Sequence, residues 1–301
     1  MFNFKQRGEL DDLIHIFKWL KSNFFLVKKK QLENIELQDV IGVFANESRL
    51  AILLHLSNKK EKISSLAKFL NLNIQDTHRN VNKMINTGIL TKDDAGFLRI
   101  APLGKITILL YPSFEFVFKN RNYFLDHTFE NVPEKFSQRI GVLNNCKLTK
   151  GVVKVLEQWK KIAEEAEKYV KVIASQAPLE AVETTLQRAS QGLKINLVLG
   201  ENTIFPEAYP KLLKKYQIGK LELNGLFETK MIKEIDFCVV LSDKEASISF
   251  SRYGGDVDID QTFFGKEKEF LEWCNDLFEW VWSNGDATGT NLGQKFKIPQ
   301  I

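Results

Sequence analysis

Glu47–Gly104, ESRLAILLHLSNKKEKISSLAKFLNLNIQDTHRNVNKMINTGILTKDDAGFLRIAPLG, is the stretch on which the reading of the fold turns. It opens with ESRLAILLHLS, where Leu50, Leu53, Leu54 and Leu56 recur at helical spacing while Arg49 and His55 lie off the stripe. ISSLAKFLN follows as a shorter helix with Ser64 or Ser65 to cap it and Ile63, Leu66, Phe69 and Leu70 on its apolar side. A polar turn, Asn71 to Asn73, leads into IQDTHRNVNKMINTG. There Asn73 with Asp76 three residues on has the form of a capping box, and Ile74, Thr77, Val81, Met84 and Ile85 share one face. The other face holds Gln75, Asp76, His78, Arg79, Asn82 and Lys83. Gly88 stops the helix, because glycine accepts the left-handed conformation of a C-cap. ILTKDDAGFLRIAP then alternates on both sides of Asp93, Asp94, Ala95 and Gly96, which predicts a basic-tipped hairpin.

Helix, helix, tight turn, helix and hairpin, in that order, describe a winged helix-turn-helix, whose third helix lies in the major groove. The expected partner is double-stranded DNA. Gln75, Asp76, His78, Arg79, Asn82 and Lys83 then face base edges, while Lys92 and Arg99 on the hairpin and Lys62 and Lys68 around the second helix face phosphates. Charge is distributed to match. The first 150 residues hold 23 Lys or Arg against 15 Asp or Glu, and the remaining 151 hold 19 against 23. A basic front half suits a polyanion, and an acidic back half suits a different task.

With 301 residues and 44% apolar content the chain can bury a large core, and length alone allows two domains. The N-terminal run LIHIFKWLKSNFFLVKKK is broken by Lys18 and Lys21 and has no small-residue cleavage site. It reads as an amphipathic helix, neither a leader nor a membrane span. Cys146, Cys238 and Cys274 lie far apart, which excludes a disulfide framework and zinc-finger spacing, and a reducing cytoplasm fits. Cys238 and Cys274 read as buried; Cys146, between Asn145 and Lys147, is the one candidate redox thiol, with a packed small residue the stronger reading. GKITILLYPSFEFVFKNRNYFLDHT is dense in Ile, Leu and aromatics, with Pro112 opening a second helix. Such a segment calls for a partner surface, and a twofold DNA site calls for a homodimer, although half of these side chains suit packing inside their own monomer equally well.

Beyond it, GVVKVLEQWKKIAEEAEKY, PLEAVETTLQRASQG and KEKEFLEWCNDLFEWVW read as helices. YVKVIAS, KINLVLG, IGKLELN, DFCVVLS and ASISFSR read as strands. The alternation implies a largely parallel sheet covered on both faces, with ligands at the carboxyl ends of strands. That singles out Ser175, Gln176, Gly200, Glu201, Ser242, Arg252 and Tyr253 as candidate effector-binding residues for an unidentified small molecule or protein. Asp256, Asp258, Asp260 and Glu267 stand at positions 1, 3, 5 and 12 of a calcium-loop count. Gln261 occupies the position that needs Gly, so they read as solvated loop acids and no metal is expected. No cofactor motif is found.

Three stretches resemble a known family: FANESRLAIL, NYFLDHTFENVPEKFSQRIGVL and FLEWCNDLFEWVW, within 39–282. The chain resembles the archaeal winged-helix regulators of the methanogenesis-regulatory, FilR-like type, more distantly the ArsR-type and TrmB-type repressors. Tyr123, Phe124, His127, Pro133, Phe136, Ile140 and Leu143 match the family's most specific run, with Val132 where Ile is usual. His127 there reads as bonded to backbone more readily than to a metal. The resemblance implies a C-terminal α/β effector module similar to TrmB-like sensors and to the phospholipase D fold. No His follows His127, so a phospholipase D His-x-Lys site is missing. Walker, GxGxxG, HExxH and GxSxG motifs are also missing, and no enzyme is expected.

The expected organisation is therefore an N-terminal amphipathic extension over 1–35, a winged helix-turn-helix over 36–103 and linker or dimerisation helices over 104–128. An α/β effector domain over 129–283 and a tail over 284–301 complete it. The expected function is sequence-specific transcriptional regulation by a cytoplasmic dimer. The alternative is a winged helix that docks on the transcription or chromatin machinery, which Asp76 on the reading face favours.

Overall fold

A computed structural model describes residues 36–284 and 292–296; the N-terminal extension over 1–35 and most of the tail lie outside them. The chain divides between Leu110 and Tyr111 into two compact units.

The first unit holds α1 (Leu37–Phe44), α2 (Glu47–Leu56), β1 (Glu61–Lys62), α3 (Ile63–Phe69), α4 (Ile74–Asn86), β2 (Leu90–Lys92), β3 (Phe97–Ile100) and α5 (Pro102–Ile108). Its three strands form an antiparallel sheet in the order β1-β3-β2. Two-residue β1 goes beyond the sequence reading, because a pair of residues has no period to read. The core joins Val43, Ile52, Leu53, Leu56, Leu66, Val81, Met84, Ile89 and Leu98. Gly104 is required: a Cβ there would collide with the carbonyl oxygen of Ile89.

Several expected core positions lie outside. Leu54, Phe69 and Ile74 are exposed, and Ile52 takes the buried place on α2 that the stripe assigned to Leu54. Phe69 instead tilts against His55, with the Lys59 ammonium 4.8 Å from its ring centre. Neither Ser64 nor Ser65 caps α3, which begins at Ile63, one residue before them.

The second unit is a seven-stranded sheet in the order β4-β10-β9-β8-β5-β6-β7. Its strands are β4 (Lys147–Lys150), β5 (Tyr169–Gln176), β6 (Lys194–Ile204), β7 (Phe227–Ile232), β8 (Phe237–Ser242), β9 (Ala246–Phe250) and β10 (Gln261–Gly265). Only β5 with β6 and β6 with β7 run parallel; the other four pairings are antiparallel. This corrects the largely parallel sheet expected from sequence. Parallel neighbours need a helical crossover, and α10 (Leu179–Ser190) supplies the first, α11 (Tyr209–Lys215) and α12 (Ile218–Leu223) the second. Between β8 and β9 only Asp243, Lys244 and Glu245 intervene, enough for a hairpin and nothing more.

IGKLELN is α12 and not a strand. Ile218 and Leu221, three apart, are both buried, whereas Leu223 is exposed; a strand would have put Leu221 and Leu223 on one face. Central β8 is buried at every position, Cys238 and Val240 belonging to one core and Val239 and Leu241 to the other. The first of these cores includes side chains of α9 (Val152–Glu165), α10, α11 and α12. The second includes side chains of α6 (Tyr111–Lys119), α7 (Arg121–Phe124), α8 (Glu134–Ser137), a 3-10 turn (Ile140–Asn145) and α13 (Lys268–Asn284). A last short helix is α14 (Leu292–Lys295). No helix among the described residues is long and apolar enough to cross a membrane.

Candidate nucleic-acid interface

In the first unit, α3 is joined to α4 by a short turn that Asn71 makes tight by adopting φ +51°. Asparagine tolerates this left-handed conformation better than most residues. Asn73 caps α4: its side-chain oxygen accepts the Gln75 N–H at 2.8 Å, and Thr77 donates its hydroxyl to the Asn73 carbonyl at 2.8 Å. At the other end Gly88, φ +74°, donates its N–H to the Ile85 carbonyl, and Ile89 donates to that of Met84. With both ends fixed, Thr77, Asn80, Val81 and Met84 turn inward.

Gln75, Asp76, His78, Arg79, Asn82 and Lys83 are then all exposed on one helix. Asp76 pairs with Arg79 at 3.0 Å, so this carboxylate orients a guanidinium as well as standing at the start of the helix. The hairpin differs from expectation at its tip. Asp93, Asp94, Ala95 and Gly96 form the turn, with Gly96 at φ +84°, and Arg99 on β3 is drawn back to Asp93 at 3.4 Å. The tip is thus acidic, with Lys92 at the end of β2.

Lys62 and Lys68 are exposed as expected. The sequence reading misses two further lysines, Lys59 and Lys60. Lys60 lies 4.9 Å and Lys62 5.1 Å from the centre of the Phe97 ring, and Lys59 stands over Phe69. The run SNKKEK could have shown them, since three lysines in four residues beside a helix start are a ready phosphate contact.

In the second unit six of the seven candidate effector residues lie toward one end of the sheet and Ser242 lies at the other. Ser175 and Gln176 end β5, and Gly200 and Glu201 lie within β6, which continues to Ile204. Arg252 and Tyr253 follow β9 at the same end of the sheet. Ser242 is at the opposite end, paired with Val170, because β8 runs antiparallel to β5; its hydroxyl is held in the Ser242–Glu245 turn. Gln176 alone among the seven lines a cavity of about 70 Å³ between the sheet and α9, α10 and α11.

Arg252 has a structural partner instead. Its Nε and Nη2 donate to Asp258 Oδ2 at 3.2 Å each, and His127 Nε2 lies 2.9 Å from the same oxygen. His127 Nδ1 is 2.7 Å from the Tyr123 carbonyl and 2.8 Å from Asp126, and the ring stacks on Tyr123 with centroids 3.6 Å apart. The backbone bond of His127 is as expected. Asp258 is not a solvated loop acid. Burial opposes its charge, but bonds from the Asp260 N–H, His127 and Arg252 outweigh that and hold its carboxyl below the usual range. The Cys146 thiol is pushed up to about 12 by burial and by Glu267, which disfavours the thiolate a redox sensor needs.

No family model and no curated protein matches the chain. Solved structures do. The archaeal chromatin protein TrmBL2 is similar at 14% identity over 80% of this chain and 93% of that one, with a TM-score of 0.37. Nuc, a phospholipase D family member from Salmonella typhimurium, is similar at 10% identity over 48% of this chain and all of that one, TM-score 0.34. An O-methyltransferase family protein from Burkholderia thailandensis is similar at 12% identity over 67% and 65%, TM-score 0.22. These findings correct the expectation that the chain is no enzyme. Enzymes stand among the similar structures, and a missing His-x-Lys excludes one nucleophile rather than catalysis at large.

Proposed function

We propose that this chain is a sequence-specific DNA-binding transcriptional regulator, its first unit a winged helix-turn-helix and its second a domain that binds an effector. The observation that carries the reading is α4: capped at Asn73, stopped at Gly88, and presenting six exposed polar side chains after a short turn. A helix of that kind fits the major groove, where Gln75, Arg79 and Asn82 have the donor and acceptor groups that distinguish base pairs. Lys59, Lys60, Lys62, Lys68 and Lys92 supply cations for phosphates. A homodimer in the cytoplasm follows from the same reading. Leu103, Ile106, Leu109 and Leu110 in the first unit and Phe114, Val117, Phe118 and Leu125 in the second are exposed apolar residues that a partner copy would cover.

The test is fluorescence anisotropy of the full chain on the duplex upstream of its own gene against a scrambled duplex, from low to physiological salt. Selectivity of roughly a thousandfold with a steep salt slope is expected. A second reading has its own support: Asp93 and Asp94 at the hairpin tip, with Asp76 on α4, oppose phosphate and suit a basic protein partner. Equal, weak binding to both duplexes would favour that docking module.

A further inference from the structure

The first core of the second unit is incompletely filled. The cavity between the sheet and α9, α10 and α11 is walled by the small side chains Ala163 of α9, Ala174 of β5, Ala177 after it, Ala181 of α10 and Cys238 of β8, among larger apolar residues. Small side chains on facing elements leave the gap, and its mainly apolar lining gives water few partners and leaves dispersion contacts unmade. At about 70 Å³ it is roughly half the size of the ~150 Å³ apolar cavity that accepts a benzene ring.

Its chemistry restricts the occupant. Among the described residues lining it none is Asp, Glu, Lys, Arg or His. Trp159 donates its indole N–H to Ser247 at 3.0 Å, and Thr185 donates its hydroxyl to the Ala181 carbonyl at 2.8 Å. Burial pushes the Cys238 thiol up to about 12, which keeps it neutral. Nothing there compensates an ion. Gln176, at the end of β5, offers both a donor and an acceptor to a hydroxyl.

We infer that this cavity binds the short aliphatic tail of a neutral small molecule, its hydroxyl or carbonyl end bonded to the Gln176 side chain. This rests on the effector role proposed for the second unit and gives it a site and a ligand class.

Primary alcohols from propanol to octanol are the probes, titrated into the full chain while the indole N–H signals are followed by NMR, with Trp159→Phe assigning the cavity signal. The expected result is a saturable shift at Trp159. Affinity should rise about fourfold per added methylene, the equivalent of ~0.8 kcal/mol each, and then fall once the cavity is full. Ala181→Leu, which fills the space from α10, should weaken binding on the order of tenfold and leave the other indole signals in place. No saturable shift with any alcohol overturns the inference. So does affinity that climbs through octanol without a maximum, or binding unchanged in Ala181→Leu. Anisotropy on the same samples reads DNA binding separately, so loss of the regulator reading and loss of the cavity reading give different outcomes.

Discussion

Asp, Arg and His stand together on α4 and again beside β9, and the two sets meet opposite fates. On α4, Asp76 and Arg79 pair at 3.0 Å with His78 in the same turn, and the paired side chains are 57% and 80% exposed. In the second unit Asp258 and Arg252 pair at 3.2 Å beside His127, where the Asp258 and His127 side chains are 4% and 0% exposed. The residue types are the same; the solvent differs. An exposed pair contributes about 0 to 1 kcal/mol to stability and leaves its groups available to a ligand. Asp258 and His127 are buried together, so neither can be lost without stranding the other, while the Arg252 side chain reaches them from a 52% exposed position; the cluster ties the segment after α7 to the loop after β9.

The largest effect that could break this contrast is Asp258→Ala, which leaves the buried His127 Nε2 without its partner and is expected to destabilise the second unit by up to about 3 kcal/mol. Urea unfolding followed by tryptophan fluorescence measures it, and a loss below about 0.5 kcal/mol would class the cluster with surface pairs. Acid sharpens the same point. A carboxyl lowered in the folded chain adds stability above its unfolded value near ~3.9 and loses it as pH falls through the lower folded value. Below about pH 4 the wild-type urea midpoint should therefore drop more steeply than that of Asp258→Asn.

Arg79→Ala is expected to leave the urea midpoint unchanged while costing about 1 to 3 kcal/mol of discrimination between upstream and scrambled duplex. Uniform loss on both duplexes would show that Arg79 serves phosphates and not bases. Lys92→Ala should weaken both duplexes alike and reduce the slope of log affinity against log salt by about one unit; an unchanged slope removes the hairpin from the interface. The smallest effect belongs to Asp76→Ala. Releasing Arg79 and removing a negative charge should raise affinity for the scrambled duplex by severalfold and narrow the selectivity, read by the same titration.

Local signals are legible wherever one residue has a single job. Asn73 caps, Gly88 stops, Gly96 turns, and each acts through its own backbone or a bond to a residue two or three away. The six exposed residues of α4 are legible for a related reason, since a well-capped helix of thirteen residues has a fixed period. Sequence reading fails where neighbours in space decide. Phe69 and Ile74 fit an apolar stripe, yet both stay exposed, Phe69 meeting His55 and the Lys59 ammonium where a core neighbour would be needed. IGKLELN suits a strand as well as a helix, because in a window as short as the six residues of α12 the two periods look alike. Arg99 suits a phosphate until the hairpin brings Asp93 beside it.

The helices from Glu47 to Asn86 and the hairpin after them, their order and the polar face of α4 can be read from the sequence alone. Those follow from local backbone preference and from side-chain period, which act over a few residues. The mixed sheet, the separation of Ser242 from Gln176, the burial of His127 against Asp258 and the cavity beside four alanines come from the folded arrangement. Each depends on which strands become neighbours, and that is set by packing between residues as distant in the chain as His127 and Asp258, 131 positions apart.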